Sequence, residues 1–165
     1  VCTANFKIKT LLNRGLSMLF SDYKINSFVS GTTLFIYRFE HLAWKKNRVM
    51  LLLIRLVTYC IRRILGINSQ ISYQCAIGRR VRLPHRGDGV IISKYASIGN
   101  GVTIFQQVTI GINESKDEKN KKIIIGDGCY ISSGAKIISC RLGDNVKVAP
   151  NRVVYKDAND NETLL

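Results

Sequence analysis

The sequence predicts a mainly β fold, a parallel β-helix built from hexapeptide repeats and preceded by an α-helical region, and three observations carry that prediction. The first is a six-residue rhythm in which Ile98, Ile104 and Ile110 recur, with Val102 and Val108 four residues after the first two. The second is what lies between them: Gly, Asn and Asp, the residues of tight turns. The third is a change of period at Ile67, from helical spacing before it to hexads after it.

Residues 1–66 read as helices: a weak one near Thr10–Phe20, a second from about Thr32 to Lys46, and a third from about Arg48 to Leu65 that stops at Gly66. Residues 26–31 read as the loop between the first two. Leu34, Tyr37, Arg38 and His41 fall at helical spacing, so His41 packs or faces solvent and is not a catalytic candidate. The most apolar run, Val49 to Ile61, is interrupted by Arg55, followed by Arg62 and Arg63, and too short to span a bilayer. It reads first as a helix buried between protomers and second as an interfacial helix on an anionic membrane. Lys7, Lys9 and Arg14 break the first apolar stretch, so no signal peptide is expected there.

From Ile67 onward each hexad places an aliphatic residue first and a small or β-branched residue fifth, a pattern for short strands that turn two side chains inward. The repeat starts with Ile71 to Ala76 and Ile77 to Arg82, resumes at Ile125 and Ile131, and continues through Leu142 to Pro150. A sandwich of short strands would need alternating patterns and longer connections. One long charged segment, residues 112–122, interrupts the rhythm and reads as a loop ejected from a corner of the solenoid. The expected organisation is a helical region over 1–66, a β-helix over 67–154 and a tail over 155–165.

The net charge of +14 is uneven: residues 1–66 hold eleven Lys and Arg against Asp22 and Glu40. Such a balance suits anionic partners. No zinc-finger spacing, basic heptad helix or RNA-binding sheet motif accompanies it, so nucleic acid is not an expected partner. The five cysteines, Cys2, Cys60, Cys75, Cys129 and Cys140, show no paired metal spacing, and no metal site is expected. Cys75 and Cys129 sit at fifth positions, where small buried thiols fit, which points to a reducing, cytoplasmic compartment.

His85 lies where the rhythm slips, in Leu83-Pro84-His85-Arg86-Gly87-Asp88-Gly89. A histidine on a loop held by a rigid scaffold is a candidate general base, because its ordinary pKa lies near neutrality. Asp88 is a candidate to orient it, or simply part of the turn. Arg86 and Lys94 are candidates to bind an anionic sugar or nucleotide, or plain surface cations.

Taken together, the helical leader, Leu83-Pro84-His85, the run Thr103 to Gly111, the ejected loop and Ile125-Gly126-Asp127-Gly128 resemble one family. It is the serine acetyltransferase branch of the hexapeptide-repeat acyltransferases, especially members associated with bacterial surface polysaccharides. The resemblance is strong over residues 67–154 and covers the helical region only in layout. It implies a left-handed parallel β-helix, a homotrimer, and transfer of an acetyl group from acetyl-CoA to a hydroxyl. It makes His85 the catalytic base. It also places the pantetheine arm near Gly111, Ser133, Gly134 and Ala135, with Lys147 toward the phosphates. A backbone N–H near Gly111 is the candidate oxyanion donor.

Three departures bear on the acceptor. Gln70 stands where the serine-specific enzymes carry an aspartate that orients the histidine. Pro84 replaces the acid just before it, and Lys121-Lys122 replace an Arg-His pair that helps hold the amino acid. Lost ionic hydrogen bonds, at about 1.5–3 kcal/mol each, should weaken serine binding. The expected function is therefore acetyl-CoA-dependent O-acetylation of a carbohydrate hydroxyl in surface-polysaccharide biosynthesis, with Gln70, Arg86 and Lys122 as substrate-binding candidates. Serine O-acetylation for cysteine biosynthesis is the enzymatic alternative, and a catalytically inactive assembly or membrane-docking module is the non-enzymatic one. The expected location is cytoplasmic, with peripheral membrane contact through the basic helices as an option.

Overall fold

A computed structural model of the chain describes residues 20–115 and 121–165. Two helices, α1 (Phe28–Lys46) and α2 (Arg48–Leu65), precede thirteen short strands among the described residues. The helix expected near Thr10–Phe20 lies outside the described residues except for Phe20 itself.

Helix α1 begins four residues before the expected Thr32, inside the segment read as a loop. The cause is local: Ser27 caps it, its hydroxyl accepting from the Ser30 amide at 3.4 Å, and this outweighs the poor helix propensity of Ser30-Gly31-Thr32-Thr33. Helix α2 has the expected bounds. Asn47 caps its start, and Gly66, at φ 61, closes its end in the left-handed conformation that glycine adopts without strain.

The strands form three parallel faces. The first face stacks β1 (Gln70–Ile71), β3 (Ile91–Ile92), β6 (Thr109–Gly111), β9 (Lys136–Ile138) and β12 (Val153–Val154). The second stacks β2 (Ala76–Ile77), β4 (Ala96–Ile98), β7 (Ile123–Ile125) and β10 (Arg141–Leu142). The third stacks β5 (Thr103–Ile104), β8 (Tyr130–Ile131), β11 (Lys147–Val148) and β13 (Thr163–Leu164), and Arg82 bridges to Thr103 above it. The chain visits the faces in turn, which is the path of a solenoid.

The first and fifth hexad positions fill its interior. Ile98, Val102, Ile104, Val108, Ile110, Ile131, Ala135 and Ile137 are all buried, as are Cys75, Cys129 and Cys140. Burial pushes the Cys75 thiol up to about 12, so it behaves as an apolar filler that donates to the Ser72 carbonyl at 2.9 Å. Between the second and third faces Gly99, Gly126 and Gly143 stack. Each is followed by an Asn or Asp, and the Asn100, Asp127 and Asp144 amides donate to Asp127, Asp144 and Asp160 in the next coil at 2.7–2.8 Å. This ladder continues past the expected end of the repeat. Ala158 bridges to Leu142 and β13 pairs with β11, so residues 155–165, expected as a tail, add a further coil.

The open edge of the first coil would leave strand amides and carbonyls without partners. Five side chains from α1 and the turn before it satisfy them. The Tyr37 hydroxyl donates to the Cys75 carbonyl and accepts from the Ile77 amide. Arg38 donates to the Ile77 and Gly78 carbonyls, Asp22 accepts from the Val81 amide, Asn26 takes both the Val81 carbonyl and the Leu83 amide, and Ser30 donates to the Leu83 carbonyl. A buried ion pair, Arg38 to Asp22 at 2.7 Å, ties the set together. The α1 helix therefore closes the top of the solenoid and fixes the segment that leads into His85.

Candidate active site

Ile92 lies beneath Ile71, three residues beyond the spacing of three hexads, and the surplus forms the His85 loop. Pro84–Gly87 make one tight turn at the corner between the third and first faces. His85 (φ 52, ψ 41) and Arg86 (φ 65, ψ 6) both occupy the left-handed region, which side-chain-bearing residues adopt only when their surroundings impose it. The surroundings here do so. Besides the two bonds to Leu83, Asn68 Oδ1 accepts from the Gly89 amide at 3.0 Å, the Gln107 amide donates to the Asp88 carbonyl at 2.7 Å, and the Arg86 guanidinium donates to the Leu65 carbonyl at 2.5 Å. Five outside contacts thus hold the left-handed backbone of the His85 loop.

That side chain is exposed at the corner, its ring 6.1 Å from Phe105, which in turn packs 5.1 Å from Tyr130. Among the described residues no carboxylate hydrogen-bonds the His85 ring. The Asp88 carboxylate is exposed, and this residue serves the loop through its main chain, its amide donating to the His85 carbonyl at 3.2 Å. An imidazole with an open face can accept a proton from a hydroxyl placed against it.

The same corner carries Gln106-Gln107 one coil below and Ser133-Gly134 one further down. They are joined by Gly134 amide to Gln106 carbonyl (3.0 Å) and Asn151 amide to Ser133 carbonyl (2.9 Å). Gly134 sits at φ 71 with Asn151 Oδ1 where a Cβ would stand, so only glycine fits there. His85, Ser133 and Gly134 therefore share one column. Ala135 follows them, but its methyl is fully buried and its carbonyl accepts from the Thr109 amide.

Other sequence candidates fall elsewhere. Gly111 ends β6 at the opposite edge of the first face, beside Ile138. Lys122 is exposed where the ejected loop re-enters at β7, Lys147 is exposed on the third face beside Tyr130, and Gln70 is exposed on β1. Arg86 is engaged at the end of α2, and Lys94 lies 4.9 Å over the Tyr95 ring. One member of the column escaped sequence reasoning: Gln106, whose side-chain oxygen is buried without a partner among the described residues. Its register, one coil above Ser133-Gly134, was the available signal.

No protein-family model matches the chain. The serine acetyltransferase of Bacillus subtilis strain 168 is 34% identical over 130 residues, which make up 78% of this chain and 57% of that protein. The chain thus spans a little over half the length of such relatives. Soybean serine acetyltransferase solved in complex with serine superposes with a TM-score of 0.68 at 27% identity, covering 83% of this chain and 54% of that one. A serine acetyltransferase solved in complex with CoA shares the fold at 22% identity, with a TM-score of 0.66 over 83% of this chain and 54% of its own. The solenoid is accordingly a left-handed parallel β-helix, and the chain is similar in sequence and fold to the serine acetyltransferase-like branch of the hexapeptide-repeat acyltransferases.

Proposed function

We propose that the protein is an acetyl-CoA-dependent O-acetyltransferase with His85 as its general base. The observation that carries this reading is the strained, externally braced His85 loop, which sets an exposed imidazole in one corner column with Ser133 and Gly134. In the reaction the neutral imidazole takes the proton of the acceptor hydroxyl as its oxygen attacks the thioester carbonyl. The C–S bond then breaks, and the imidazolium returns the proton to the departing thiolate. Ser133 and Gly134 border the path of the donor's pantetheine arm, and Lys147 lies toward its phosphates. Gly111, the proposed oxyanion donor, and Lys122 lie away from His85 within one chain, so in this reading they serve the site of a neighbouring copy, while Gln70 borders the acceptor.

Serine is the acceptor that the comparisons support, since the relatives reported above are named serine acetyltransferases and none is named for a polysaccharide. The expectation of a carbohydrate acceptor gives way to it as the first reading. One observation keeps the carbohydrate as a second: Gln70, Pro84 and Lys122 replace charged groups expected to orient the base or hold an amino acid, and no carboxylate bonds the His85 ring among the described residues. Release of CoA thiol from acetyl-CoA with serine, and with a panel of sugars and nucleotide sugars, separates the two. Turnover on serine supports the first reading. Turnover on a sugar alone installs the second, and failure to bind acetyl-CoA overturns both.

The assembly belongs to the same proposal. Val49, Leu52, Leu53, Leu56, Val57 and Ile64 of α2 are at least 61% exposed in the single chain, a face that needs cover. We assign it to contact between copies of the chain, with a homotrimer as the expected unit. Among the described residues no helix is long and apolar enough to cross a membrane. A trimeric mass in light scattering supports the assignment; a monomeric protein that binds anionic vesicles would transfer the face to a bilayer.

A further inference from the structure

A cavity of about 440 Å³ lies between α2 and the start of the first face, apart from His85, which does not line it. Its polar wall includes Arg55 and Arg62 from α2, Ser69 and Gln70 at β1, and the Glu40 carboxylate from α1. Three features of this wall lack a structural explanation within the fold.

Two guanidinium groups face one carboxylate. Arg62 lies 3.9 Å from Glu40 and donates to the Ser69 carbonyl at 3.4 Å, but Glu40 already accepts from the Thr58 hydroxyl at 2.6 Å. The Arg55 guanidinium stacks 5.4 Å over the Tyr73 ring and makes no hydrogen bond or ion pair among the described residues. Burial lowers the pKa of Arg62, Glu40 opposes that, and the positive charge of Arg55 adds to the lowering, so the two cations feel each other. Finally, Ser69 is only 5% exposed, and its hydroxyl has no partner among the described residues. A buried hydroxyl without a partner is rare and calls for an explanation.

A single ligand accounts for all three. We propose that this cavity is a binding site for a small oxyanion, a phosphate or carboxylate group, held by Arg55 and Arg62 with the Ser69 hydroxyl donating to it. A guanidinium pair suits oxyanions because its forked donors match their geometry. The site adjoins the catalytic loop: the Gln70 amide donates to the Val90 carbonyl at 2.8 Å, and Asn68 next to Ser69 holds the Gly89 amide. An anion bound there ties α2 to the strand that supports the His85 loop. The acetyltransferase reading adds a role, anchorage of a charged acceptor or effector beside the reaction, but anion binding stands without it.

The test uses the full chain, with inorganic phosphate and malonate as separate titrants at constant ionic strength, followed by calorimetry. The variants are Arg55→Gln and Ser69→Ala. Neither removes a hydrogen bond found in the fold, so without anion the unfolding temperature should not move in Ser69→Ala and should fall only slightly in Arg55→Gln, which gives up the stacking on Tyr73. The expected result is binding by the wild type that weakens at least fivefold in each variant, while acetyl-CoA binding stays unchanged in both. Preference for phosphate assigns a phosphate ester as ligand, and preference for malonate assigns a carboxylate. No binding of either anion overturns the proposal. So does binding that both variants retain, as phosphate lodged in the donor's own phosphate site would be. Acetyl-CoA binding on the same samples decides the acetyltransferase reading separately.

Discussion

Replacing Arg38 with Met probes whether α1 closes the solenoid through polar bonds or merely rests on it. Arg38 is 3% exposed and Asp22 1% exposed, so neither charge has water as an alternative partner. The substitution keeps the aliphatic stem but leaves the Asp22 carboxylate buried with only the Val81 amide to neutralise it, and it leaves the Ile77 and Gly78 carbonyls without the guanidinium. Breaking a buried ion pair on one side costs about 3–5 kcal/mol, largely because the remaining charge is uncompensated. The two carbonyls add to that only in part, since terms within one network are not additive. The expected loss is therefore about 4 kcal/mol, or a fall of roughly 2 M in the urea midpoint for a slope of about 2 kcal/mol/M. Urea unfolding at fixed protein concentration, followed by circular dichroism, is the assay, because assembly makes midpoints depend on concentration. Arg79→Ala, an exposed change on the same coil, should stay within about 0.5 kcal/mol. A loss below about 1 kcal/mol for Arg38→Met would refute the edge-closure argument.

Gly126→Ala should cost about 3 kcal/mol, because its Cβ would stand 2.4 Å from Asp144 Oδ1 and 2.5 Å from the Gly143 carbonyl oxygen, and backbone cannot step aside. Gly111→Ala, whose Cβ would make ordinary contacts with Thr109 Cγ2 at 3.5 Å and Ile138 Cδ1 at 3.6 Å, should be near neutral by thermal unfolding; equal costs would contradict the stacked-corner reading. His41 should make the fold acid-sensitive. Burial lowers its pKa, and its Nδ1–H donates to the Tyr73 carbonyl at 2.8 Å. The unfolded chain then binds the extra proton first, so stability is complete above the ordinary histidine value near 6.5 and declines as pH falls below it. His41→Gln should flatten that part of the profile, and an unchanged slope would remove His41 as its source.

The solenoid was legible because its interior obeys one rule, repeated: Ile98, Val102, Ile104 and Val108 are inward wherever the rule puts them. Residues 155–165 were missed because Ala158 and Asn159-Asp160-Asn161 keep the turn chemistry while reducing the apolar signal. The closing of the first coil was not legible at all. Asp22, Asn26, Ser30 and Arg38 act on backbone groups 39 to 59 residues away, and no local period records such pairings. The candidate site was read in part. His85 stood out as a histidine where the hexads slip, but its left-handed backbone and the use of Arg86 to hold the end of α2 depend on tertiary contacts. Arg55, Arg62 and Ser69 belong to separate elements, and only the packing of α2 against β1 brings them to one cavity.

The measurement that tests the central claim most directly compares the wild type with His85→Asn in acetyl-CoA turnover on the acceptor that the wild type uses. Asparagine tolerates the left-handed backbone that position 85 requires, so the loop and the fold should persist, with an unfolding temperature equal to or above that of the wild type. Loss of the base predicts a fall in turnover of roughly 10²–10⁴-fold with acetyl-CoA binding intact. Turnover within threefold of the wild type in a folded His85→Asn protein would show that the proton goes elsewhere, and that the strained loop serves some purpose other than general-base catalysis.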